Sequence, residues 1–79
     1  MTYEHVADDR MRAILTTADP APEEVQYALE HSDACLMLDA ENEDVPHYVY
    51  EARLDALDAA WQSRKPSDAI THIRKFWSI

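Results

Sequence analysis

Apolar side chains recur along most of this chain every three or four residues, the spacing that lines one face of an α-helix. Tyr3, Ala7, Met11, Ile14 and Leu15 make the first such row and predict a helix over about residues 4–16. Asp8 and Asp9 in its early turns suit the positive end of the helix dipole. Val25, Leu29, Ser32 and Leu36 make the second row, flanked by Ala28, Cys35 and Met37. Pro22 opens that helix at a position where its missing N–H costs nothing, with Glu23 and Glu24 in the first turn behind it. A break is expected at Ser32-Asp33, because either residue can cap a new helix. Residues 34–38 also fit a short buried strand, although no convincing second strand is there to pair with it.

The acidic run 39–44, DAENED, predicts a loop, followed by Val45-Pro46 in a first helical turn capped by Asp44. The third helix should run to about Ser63, with Tyr50, Leu54, Leu57 and Trp61 inward and small Ala56 and Ala60 allowing a neighbour close. Pro66 separates it from a fourth, where Ser67 and Asp68 suit the N-terminus, Arg74 and Lys75 the C-terminus, and Ile70, Ile73 and Phe76 or Trp77 the core. With no internal repeat and no long linker, residues 1–79 read as one all-α domain, a compact bundle of about four short helices.

Composition narrows this further. The chain has no glycine, which removes phosphate-cradling loops, dinucleotide fingerprints and tight hairpins that need positive φ. A hydrophobic content of 47% is ordinary for a folded domain, so the acidity does not imply disorder. A core below ~80 residues rarely supplies more than about 3–5 kcal/mol, which leaves room for help from a second copy in a homodimer or from a bound partner. No stretch approaches a membrane span, and Glu4, Asp8 and Asp9 stand where a signal peptide would be basic. With Cys35 as the lone cysteine, a reducing, cytoplasmic location is expected.

Sixteen Asp and Glu against seven Lys and Arg give a net charge of −9, unsuited to binding DNA or RNA directly and suited to a basic protein surface. The imbalance is local: no Lys or Arg lies between Arg12 and Arg53, whereas Arg64, Lys65, Arg74 and Lys75 follow Gln62 against Asp68 alone. Asp44, Glu51, Asp55 and Asp58 fall at helical offsets into one stripe opposite the apolar row of the third helix. Such a stripe can stand in for nucleic-acid phosphates on a basic protein; it is equally the solvated face any amphipathic helix presents. The candidate partner-binding residues are therefore these four, supported by Glu23, Glu24, Glu41 and Glu43, with Tyr48 as an aromatic contact. The partner expected is a nucleic-acid-handling protein. The rival expectation is a homo-oligomer built on Tyr48, Tyr50, Trp61 and Trp77.

Catalytic chemistry finds little support. His5, His31, His47 and His72 include no pair four apart, so no helix face offers two imidazoles to a metal. His31, Ser32 and Asp33 have a triad's composition, yet consecutive helical residues point ~100° apart and cannot form a relay. DAENED fails as a calcium loop, with Asp44 where a glycine is needed and Tyr50 where a bidentate glutamate is needed. Cys35, between Ala34 and Leu36, reads as a small buried hydrophobe. No catalytic residue, cofactor or metal is expected.

Acidity and length invite comparison with acyl carrier proteins, but their Asp-Ser-Leu is met here by a reversed Ser32-Asp33-Ala34. From Ala52-Arg53-Leu54 through Pro66-Ser67 to Lys75-Phe76 the chain resembles the last two helices of the Hha nucleoid-modulator family, over less than half its length, without a diagnostic motif and with stronger acidity. In character it is similar to small acidic phage and plasmid inhibitors, DNA mimics and anti-CRISPR proteins among them, with which it shares no motif.

Overall fold

The absence of glycine decides how the helices end. In a computed structural model that describes residues 3–79, no described residue has positive φ, so no helix stops in the left-handed cap that glycine favours. Thr17, Asn42 and Ser63 instead turn the chain out in extended backbone. The hydroxyls of Thr17 and Ser63 donate back to the carbonyls of Ala13 and Ala59 at 2.7 and 2.8 Å, adding side-chain bonds to the last turns of α1 and α3.

Four helices result: α1 Asp9–Thr16, α2 Pro22–Glu41, α3 His47–Gln62 and α4 Pro66–Ser78, with no strand among the described residues. The all-α bundle expected from the periodicity is the fold. α3 packs most extensively on α4, α2 lies against both, and α1 closes one side. One apolar cluster joins Met11, Ile14 and Leu15 of α1, Leu36 of α2, Leu57 of α3 and Ile73 and Phe76 of α4. A Cα radius of gyration of 11.9 Å matches the ~11.6 Å of a compact chain this long.

Several boundaries differ from expectation. α1 begins five residues late, at Asp9 rather than residue 4, because Asp8 is its N-cap and accepts from the Met11 N–H at 2.8 Å. The preceding residues form a turn, with the Val6 N–H on the Tyr3 carbonyl, that drops Tyr3 and Val6 into the core and leaves Ala7 exposed. His5 Nε2 donates to the Trp77 carbonyl at 2.8 Å and fastens this segment to the end of α4.

α2 runs unbroken through Ser32-Asp33, and residues 34–38 are helical, not a strand. Ser32 is fully buried and caps nothing. Its hydroxyl donates to the Ala28 carbonyl at 2.7 Å and accepts from Trp77 Nε1 at 2.9 Å, so both polar groups are satisfied without breaking the helix.

Asp44 does not cap α3. Pro46 holds the cap position, and Asn42 shapes the loop by accepting the Asp44 N–H on its side-chain oxygen at 3.0 Å. The buried edge of α3 is Ala56, Leu57 and Ala60, with Tyr50 and Leu54 only partly covered and Trp61 46% exposed. Small residues draw the α3–α4 contact line toward themselves and away from the bulkier row. At α4, Lys65 holds the cap position without a side-chain cap bond, so Ser67 and Asp68 do not cap it, but Asp68 lies in the first turn, where it complements the helix dipole. Arg74 reaches past its own helix and donates to the carbonyls of Leu15 and Thr17, closing the C-terminus of α1.

Candidate functional site

The helical register of α3 turns Tyr48, Glu51, Asp55 and Asp58 to the side opposite Ala56, Leu57 and Ala60. All four are exposed, Tyr48 to 75%. Offsets of three, four and three residues set them in one row ~15 Å long, with its carboxylates ~4.5–6 Å apart along the axis. That is sparser than the phosphates of a DNA strand, which advance ~3.4 Å each.

No Lys or Arg among the described residues reaches this row. Glu51 meets only the imidazole of His47, Nε2 to Oε1 at 2.9 Å on the neighbouring turn. The ion pairs lie elsewhere: Arg10 with Glu24, Arg12 with Asp9 and Arg53 with Asp39. The row's negative field is thus left uncompensated and turned to solvent.

Other candidates are not gathered with it. Asp44 is exposed in the loop before α3 and not on the helix, so it lies outside the regular row, as do its exposed neighbours Glu41 and Glu43. Glu23 and Glu24 open α2, whose last residue is Glu41, and 18 residues of helix put ~27 Å between Glu23 and Glu41. The acids form a row with a flanking loop, plus a separate group at the far end of α2.

Glu24 is also occupied. Arg10 grips it with Nη2 at 3.0 Å and Nε at 3.2 Å while lying 4.0 Å from the centre of the Tyr27 ring. The Tyr27 hydroxyl donates to Asp8 Oδ2 at 2.9 Å, and the other Asp8 oxygen caps α1. This Asp8–Tyr27–Arg10–Glu24 chain ties α1 to α2, and sequence reasoning missed it because its members lie 14 and 19 residues apart.

The chain of contacts has a pH consequence. The Met11 N–H, then the Tyr27 hydroxyl, hold Asp8 below its ordinary pKa, and Arg10 does the same for Glu24. A carboxyl so depressed stabilises the fold above its ordinary pKa and loses that contribution as pH falls through its folded value. Asp8→Ala should therefore destabilise by a constant margin near neutrality, and the gap to wild type should narrow below the ordinary value of 3.8. Urea midpoints across the acid range measure this; a gap that widened on acidification would contradict the assignment.

The aromatic surface expected for a homo-oligomer is not continuous. Tyr50 and Trp77 pack against the core, leaving Tyr48 and Trp61 exposed, together with Met37 and Leu38 at 65% each. Sequence periodicity had placed Met37 beside the buried row. Its outward position follows from α2 being one continuous helix, whose register carries residues 37 and 38 past the contact edge.

Half-buried Cys35 has its thiol pushed up by burial and then by Asp39, which favours the thiol over the thiolate. Among the described residues no three of His, Cys, Asp or Glu converge as metal ligands, and no helix is long and apolar enough to cross a membrane.

No family model, curated protein or solved structure matches this chain. The likeness to the Hha family therefore rests on the quoted residues of the last two helices alone.

Proposed function

We propose that this chain is a non-catalytic, acidic binding module that occupies the basic surface of a nucleic-acid-handling protein, as phage or plasmid inhibitors of the DNA-mimic and anti-CRISPR kind do. The observation that carries this reading is the outward row of Tyr48, Glu51, Asp55 and Asp58, with no Lys or Arg of the chain's own upon it. Lys and Arg of a partner, normally engaged with phosphates, would find carboxylates at helical spacing. Tyr48 would offer a ring face to a guanidinium at the end of the row. Glu41, Glu43 and Asp44 would add to the long-range field that steers encounter without needing defined contacts.

The triple variant E51K/D55K/D58K tests it. All three positions are exposed, so the fold should survive. Wild-type protein immobilised in a host lysate should retain nucleic-acid-binding proteins, release them as salt rises and release them to added duplex DNA. The variant should bind the same proteins about tenfold to a hundredfold more weakly, since each exposed pair is worth ~0.2–1 kcal/mol and reversal turns attraction into repulsion. Equal retention by the variant, unaffected by salt, would exclude a charge-led mechanism.

A further inference from the structure

At the end of the bundle away from the acidic loop, two neighbouring cations stand among the acids Glu23, Glu24 and Asp68 of the first turns of α2 and α4. α3 must stop before Pro66, whose ring cannot continue the helix, so Arg64 and Lys65 are extruded into the turn between α3 and α4. Beside them, the first turns of α2 leave an open groove of about 280 Å³. Its floor is apolar, made by buried Val25, Leu29, Ala60 and Ala69, and the half-exposed indole of Trp61 forms one wall.

Of the seven Lys and Arg, three are held in ion pairs and Arg74 is held by two carbonyls. Arg64, Lys65 and Lys75 are exposed and have no carboxylate partner among the described residues, in a chain with 16 Asp and Glu, and of these three Arg64 and Lys65 line the groove. We propose that this groove is a docking site for an acidic segment of another protein, which inserts one aliphatic or aromatic side chain beside Trp61 while its carboxylates meet Arg64 and Lys65. This surface shares no residue with the acidic row and does not depend on that reading.

Charge and size select the occupant. The hollow of about 280 Å³ lies at the lower bound of the ~300–1,000 Å³ of small-molecule clefts and has room for one or two side chains. Two cations match the one or two carboxylates that flank an apolar anchor in a peptide, whereas a nucleic acid brings a long run of phosphates to a chain of net charge −9 that has no further basic groove among its described residues to hold them. A peptide with acids around an apolar anchor satisfies both the floor and the rim. Tryptophan flanked by arginine is the kind of residue pair on which binding energy concentrates.

The indole N–H signals of Trp61 and Trp77 in a two-dimensional NMR spectrum report the outcome. The probe is a pool of short peptides of Asp and Glu around one central Leu, Phe or Trp. The Trp61 signal should shift while Trp77, bonded to Ser32, stays in place. R64E/K65E should bind at least about tenfold more weakly, with R64Q/K65Q intermediate and E51K/D55K/D58K unchanged. The proposal is overturned if the matched pool of Asn and Gln peptides binds equally, or if a single-stranded oligonucleotide shifts Trp61 and the peptides do not. It is also overturned if Trp61 moves only with the protein's own concentration, which marks a second copy as the occupant, or if no acidic peptide shifts it at millimolar concentration.

Discussion

Replacing Phe76 by alanine should leave most of the chain unfolded at room temperature. Phe76 is 2% exposed, and its ring lies edge-on to Trp77 at 5.3 Å between centroids. Truncating such a residue costs ~3–5 kcal/mol, the lost transfer energy plus the cavity left behind. A domain of this size has about that much stability in total. Far-UV circular dichroism should show a large loss of helix in Phe76→Ala, whereas Phe76→Leu, which retains most of the volume, should keep the native signal with an earlier urea midpoint. A Phe76→Ala protein that unfolded cooperatively within ~1 kcal/mol of wild type would mean the core is not centred on this ring.

Removing Asp39 should come next in severity. Its carboxylate accepts from Arg53 Nη1 at 2.5 Å, and the two side chains are only 20% and 25% exposed. Arg53 also donates from Nη2 to the Ile79 carbonyl at 3.2 Å, while its Nε is buried without a partner and its guanidinium lies 6.0 Å from the centre of the Phe76 ring. Asp39→Ala leaves that cation uncompensated against an aromatic core. The cost of breaking a fully buried pair, ~3–5 kcal/mol, falls to ~1–3 kcal/mol with the residual solvent contact here. Arg53→Met in the Asp39→Ala background should recover much of the loss, because the uncompensated charge is the penalty and not the missing attraction. Denaturant titration of the two single variants and the double variant measures the coupling. Strict additivity would show that the pair acts as two independent surface charges.

The same pair illustrates what periodicity conceals. Asp39 stood in an acidic run that read as a loop, yet the final turn of α2 carries it back to a cation on α3. Asp8 read as a dipole-friendly acid and proved to be the cap of α1 and the acceptor for Tyr27. Ser32 read as a helix break and proved to be the fully buried partner of Trp77. Asp8 and Ser32 keep a local hydrogen bond and add a partner 19 and 45 residues away, while Asp39 meets Arg53 14 residues away, and no local pattern announces any of these partners. Glu51, Asp55 and Asp58 needed no distant partner, so their common face followed from helical spacing alone.

From the sequence alone came the all-α bundle, the proline-marked starts of its helices, and the common face of Glu51, Asp55 and Asp58 on α3. All of these are set within a few residues by backbone geometry and by which side chains can or cannot occupy a turn. The tertiary structure decided which edge of each helix is covered, which acids are held by Arg10, Arg12 and Arg53, and that Trp61 with Arg64 and Lys65 borders an apolar hollow. Those outcomes depend on how four helices dock, and small residues such as Ala56, Ala60 and Ala69 set that docking through close packing that no local pattern encodes.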